Sequence, residues 1–229
     1  MEYLKKLTKS LLPILIIYII QYIILIIISS VYLFLGYKNL NRFVSSYGSV
    51  ITIITSIIII YILIKKYKYK NKSLNKKLYF PFITIGISIS CLLNMIIFIF
   101  NPSTNQELIP IYLSVLSSGI IGPILEELLF RYILLNKLKE FNDDKKSIIL
   151  ATIIFSIVHV TPIKIIYALI LGLILNIVYH KTNNLKSSII IHMSANTISI
   201  FLSKFNIIIL FLSIVNLIIS TLIIKKQYH

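Results

Sequence analysis

The 229-residue chain is 58% hydrophobic and only 13% charged, with a mean hydropathy of +0.93, which places it outside the profile of a soluble globular domain and leaves no room for a second, soluble domain beside its apolar segments. A net charge of +16 would suggest nucleic acid in a soluble protein, but here the lysines cluster in loops beside apolar runs, where they set topology and meet anionic lipid headgroups, so no nucleic-acid partner is expected. The single cysteine, Cys91, rules out a disulfide framework or a cysteine-based metal centre within one chain.

The expected architecture is all-α: a polytopic membrane protein of about eight transmembrane helices forming one domain over 1–229. Apolar windows place spans at roughly 11–35, 49–64, 79–100, 109–135, 147–160, 162–180, 187–203 and 205–224. The first run is too long for a signal peptide and lacks a small-residue cleavage site, so it reads as a retained span. The fifth and seventh runs are short, and the fifth lies close enough to the sixth to read equally as a re-entrant hairpin.

With both termini cytoplasmic, 18 of the 23 basic residues fall inside, four fall outside, and Arg131 lies within a span. The positive-inside rule expects such a bias, which predicts a multi-pass protein of the cell membrane in that orientation. The basic loop 65–77 interleaves lysine with Tyr67, Tyr69 and Asn71 and reads as a membrane-surface anchor. Pro81, Pro102 and Pro110 sit near span ends, where a missing N–H matters least. Pro123 instead falls inside the fourth span, where it removes the hydrogen bond to the Gly119 carbonyl and predicts a bend one turn before Glu126.

The stretch 122–131 reads Gly-Pro-Ile-Leu-Glu-Glu-Leu-Leu-Phe-Arg, and Glu126 and Glu127 are the only acidic residues in any expected span. A charge at bilayer depth costs roughly 2.5–3.5 kcal/mol or more, so it marks a function or a partner. Four residues apart on a helix, Glu127 and Arg131 are placed to pair as a neutral support, whereas Glu126 lies about 100° round and can face a different neighbour. Burial and the adjacent anion resist a second charge on Glu126, which suits it to proton transfer. His159 closes the pattern Phe155-Ser156-Ile157-Val158-His159, and His192 opens His192-Met193-Ser194-Ala195-Asn196. Ser188, His192, Asn196, Ser199 and Ser203 share one face, a polar stripe that must turn to the bundle interior or a wet cavity. His180 and His229 lie at ends and read as solvated.

Glu-Glu-x-x-x-Arg, Phe-x-x-x-His and His-x-x-x-Asn, on three successive polar spans in that order, resemble the CPBP family of intramembrane glutamic endopeptidases. That family includes type II CAAX prenyl proteases and bacterial Abi or bacteriocin-immunity proteins. The resemblance covers 126–196, within an expected catalytic core at 109–203. One departure is Tyr132, where a small residue after the arginine is expected. The resemblance implies Glu126 as the base that activates a water, His159 as a helper holding that water, and His192 with Asn196 as donors to the oxyanion. Glu127 and Arg131 would support Glu126. It also implies a hydrophobic or lipid-anchored peptide or protein as substrate, with no cofactor and no metal.

Rival chemistries divide by residue type. A metalloprotease needs His-Glu-x-x-His, which is missing, and an aspartyl type needs intramembrane aspartates, whereas Asp143 and Asp144 lie in a loop. Ser156 precedes His159 by three residues and stands as a remote serine-nucleophile option. Zinc held by Glu126, His159 and His192 is the minor alternative for a cofactor. From other classes come a proton-coupled transporter using Glu and His as a relay, and a non-enzymatic immunity protein that sequesters a membrane-active peptide.

Overall fold

The computed structural model describes residues 1–37, 40–67, 73–100 and 109–228. Part of the basic loop, 68–72, lies outside them, as do Lys38, Pro102 and His229. The described residues form eight helical rods and no strand, as a chain must whose backbone polar groups have no water to bond in hydrocarbon. In chain order these are α1 (Glu2–Phe34), α2 (Leu40–Tyr67), α3 (Tyr79–Phe100), α4 (Ile111–Lys139), α5 (Asp144–Ile157), α6 (Pro162–Thr182), α7 (Leu185–Phe201) and α8 (Ile207–Tyr228).

Six rods are long and apolar enough to cross a membrane. The two below that length are α5 and α7, with 14 and 17 residues, the same two that read as short in the sequence. At 1.5 Å per residue α5 rises about 21 Å, less than the roughly 30 Å of hydrocarbon in a bilayer. Several boundaries differ from expectation. Helix α2 begins at Leu40 rather than near 49, and α5 ends at Ile157 rather than 160. The basic N-terminus continues α1 back to Glu2, where Lys6 pairs with Glu2 across one turn at 2.8 Å. At the other end of the stripe, Ser203 falls beyond α7 and is exposed.

The most buried span is α3, which packs along α7 on one side and α8 on the other. A glycine at 86 permits the first contact, because a Cβ there would run into the Ile191 carbonyl oxygen of α7. Polar side chains tie the same helices together: Thr84 to Ser220 at 2.7 Å, Asn216 to Ser88 at 2.7 Å, and Asn94 to Ser199 at 3.2 Å. Such pairs are favoured inside a membrane because lipid offers no competing partner. By contrast, α1 and α8 expose most of their apolar surface.

Helix α4 is not a uniform α-helix. Widened π-helical stretches at Val115–Ile121 and Leu128–Leu135 flank a short α-helical segment, Gly122–Glu127, which carries the acidic pair. Single π-turns recur at functional positions; here two bracket Glu126 and Glu127. Buried Leu125, Leu128, Leu129 and Phe130 seat this region against Ala151 and Phe155 of α5.

Candidate active site

The acidic pair, the arginine and one histidine converge where α4 meets α7. Glu127 and Arg131 are fully buried, and Arg131 Nη1 lies 2.9 Å from Glu127 Oε1, as the four-residue spacing predicts. The same Oε1 lies 2.8 Å from His192 Nδ1. On the other side of the ring, His192 Nε2 stands 3.6 Å from Glu126 Oε2. Glu126 faces the α7 histidine, and that histidine also meets Glu127: one imidazole reaches in from α7 to both carboxylates, one at each nitrogen.

The ring's proton placement follows from this geometry. A carboxylate paired with arginine only accepts hydrogen bonds, so Nδ1 carries the hydrogen and donates to Glu127. Nε2 is left facing Glu126. The Glu126 side chain keeps 24% of its surface exposed while His192 keeps 2%. Oε2 of Glu126 and Oε2 of Glu127 are both buried without a hydrogen-bond partner among the described residues, so what sets Glu126 apart is the partial exposure of its side chain.

Phe155 connects the remaining groups. The Arg131 guanidinium lies over its ring at 4.2 Å, and the His159 and His192 rings meet it edge-on at 4.9 and 5.9 Å. Arg131 Nη2 also donates to the Gly172 carbonyl of α6 at 3.3 Å. That approach needs a glycine, since a Cβ at 172 would lie 2.7 Å from Phe155 Cδ1. Sequence reasoning quoted Phe155 only as the start of a motif and passed over Gly172. Their signals were the four-residue spacing from Phe155 to His159 and an isolated glycine in an apolar helix.

His159 does not sit within a helix, as the expected span 147–160 implied. α5 ends at Ile157, and His159 occupies the turn that follows, its N–H donating to the Ser156 carbonyl at 3.1 Å. Pro162 drives this ending by excluding Thr161 from helical geometry. Val160 takes up the turn with φ of 62°, a conformation strained for a β-branched residue. His159 Nδ1 lies 2.9 Å from the Phe155 carbonyl oxygen and donates to it, which leaves Nε2 as an acceptor. No hydrogen bond joins His159 to Glu126 among the described residues. Ser156 is buried and its hydroxyl donates to the Ile153 carbonyl at 2.8 Å rather than to His159, so the serine option has no geometric basis.

Asn196 sits one turn along α7 from His192, and its side-chain amide donates to the Ser118 carbonyl of α4 at 3.0 Å. Its neighbour Thr197 donates to the Gly119 carbonyl at 3.3 Å. Neither partner was foreseen. Tyr18 of α1 was also missed; it lies within electrostatic range of Glu126 and Arg131. The anomalous Tyr132 donates its hydroxyl to the Tyr67 carbonyl at the end of α2 at 3.0 Å, so the large residue serves to close α2. His180, expected to be solvated, has its Nδ1 2.7 Å from Lys139 Nζ. The zinc set of Glu126, His159 and His192 does not gather as a three-ligand group among the described residues.

Residues 108–198 match the family model described as Rce1-like, type II CAAX prenyl endopeptidase. Over that stretch the chain is similar to the CAAX-protease family. The matched region contains all of the motif residues from Glu126 to Asn196 and agrees with the resemblance read from them. It covers about two fifths of the chain. Neither a curated protein nor a solved structure matches. A CAAX-protease match on a bundle in which, among the described residues, six helices are long and apolar enough to cross a membrane supports an intramembrane peptidase in a multi-pass membrane protein.

Proposed function

We propose that this protein hydrolyses a peptide bond of a hydrophobic or lipid-anchored peptide or protein, with Glu126 as general base. The observation that carries the reading is the meeting of Glu126 and Glu127 on opposite nitrogens of His192, with Glu126 alone partly exposed. A water hydrogen-bonded to Glu126 gives up its proton as its oxygen bonds to the scissile carbonyl carbon. The tetrahedral oxyanion then collapses, the C–N bond breaks, and Glu126 returns the proton to the departing amine. His159 Nε2, free as an acceptor, is suited to orient that water.

Asn196 uses one amide hydrogen on Ser118 and keeps the second for the oxyanion. His192 donates from Nε2 once its ring holds two protons. Glu127 and Arg131 position His192 rather than touch substrate.

The proposed setting is the cell membrane with both termini cytoplasmic, and substrate enters from the cytoplasmic leaflet. No metal takes part in the proposed reaction. The test uses purified protein in vesicles with a quenched prenylated CAAX peptide and a panel of quenched hydrophobic peptides. Cleavage that survives chelation, is lost in Glu126→Gln, and falls on the order of 10²–10³-fold in Asn196→Ala fits the proposal. Stoichiometric zinc whose removal abolishes cleavage would sink it.

A further inference from the structure

The π-helical stretch before Glu126 leaves one carbonyl without its ordinary backbone donors. In α-helical register the Ser118 carbonyl would accept from Gly122, and in π register from residue 123. Gly122 instead donates to Ser117, and residue 123 is proline, which has no N–H. The Gly119 carbonyl in turn loses its α-helical donor to the same proline. These two carbonyls are the ones that α7 takes: Asn196 at 3.0 Å and Thr197 at 3.3 Å. The contact is close, since a Cβ on Gly119 would stand 2.8 Å from Thr197 Oγ1.

We infer that Pro123 and Thr197 are positioning residues for Asn196. Pro123 keeps the Ser118 carbonyl open, the Asn196 amide fills it, and Thr197 fixes the register of α7 by holding the adjacent carbonyl. The amide plane is thereby set, and its second hydrogen points in one direction. The bend expected from Pro123 alone is thus a socket between helices, since the Ser118 carbonyl it leaves open and the neighbouring Gly119 carbonyl are both capped from α7. The consequence for catalysis rests on the peptidase reading above, whereas the socket itself does not.

The socket is tested by a double-mutant cycle on unfolding of the purified protein, which needs no substrate. With Pro123 present, Asn196→Ala strands a carbonyl and lowers the unfolding midpoint. With Pro123→Ala the backbone N–H, in the π register that precedes it, bonds the Ser118 carbonyl, so the same Asn196→Ala change lowers it much less. An equal drop in both backgrounds overturns the inference. A second comparison covers misfolding of the proline variant: Thr197→Ser keeps the wild-type midpoint and Thr197→Val lowers it, and equal behaviour of the two counts against the socket.

The catalytic arm uses the peptide cleaved by wild type. Pro123→Ala lowers kcat on the order of tenfold or more while KM holds, a part of what losing an oxyanion donor costs, and Thr197→Ser retains turnover. Full turnover in Pro123→Ala removes the positioning role. Full turnover in Asn196→Ala, with the unfolding cycle still coupled, would instead remove the oxyanion role and leave the socket standing.

Discussion

His192 Nδ1 lies 2.8 Å from Glu127 Oε1, the same oxygen that Arg131 holds at 2.9 Å. One buried carboxylate oxygen thus serves a cation from its own helix and an imidazole from α7. Removing its charge strands Arg131, which is fully buried. Glu127→Gln is expected to lower stability by about 3–5 kcal/mol, the range for breaking a buried pair on one side. Glu127→Asp keeps the charge and recovers part of the loss. Unfolding midpoints in detergent check both.

The Phe155 ring stands between Arg131, His159 and His192 without a polar atom of its own. Its truncation therefore acts on the site through packing. Phe155→Ala should cost about 3–5 kcal/mol of stability, as for other buried aromatic truncations. Phe155→Leu should retain the fold and still lower cleavage, because His159 loses the face it packs against. Parallel unfolding and turnover measurements separate the two.

Gly172 offers a reciprocal test. A methyl group there meets Phe155 Cδ1 at 2.7 Å, so Gly172→Ala should destabilise by about 1–3 kcal/mol through overpacking. Because the clash is with one ring, adding Phe155→Leu should recover part of that loss. Additive losses in the double variant would show that the methyl group is resisted by something else.

Tyr132 provides the contrast. Its hydroxyl bonds the Tyr67 carbonyl at the end of α2. Tyr132→Phe should cost about 0.5–1.5 kcal/mol in stability and leave turnover at the wild-type level.

The helices were legible in the sequence because apolar run length is set by bilayer thickness, which a single chain displays directly. The Glu127–Arg131 pair was legible for a similar reason, since four-residue spacing fixes a contact on one helix. The double use of His192 was not, because a ring from another helix can meet two adjacent residues whatever their separation on a wheel. His159 was placed within a span because the window followed hydropathy, whereas the turn is dictated by Pro162 acting on Thr161. The widening around Gly122–Glu127 was visible only as a proline, and the partners of the carbonyls it frees lie on α7, about 78 residues further on.

The central claim is that Glu126 is a working base. Comparative peptidomics of cells carrying the intact protein and its Glu126→Gln variant at matched membrane levels tests it most directly. The account predicts at least one membrane-associated peptide whose processed form is present with the intact protein and missing with the variant. Identical peptide profiles, with any protective effect on the cell retained by the variant, would contradict catalysis and favour sequestration of a peptide instead.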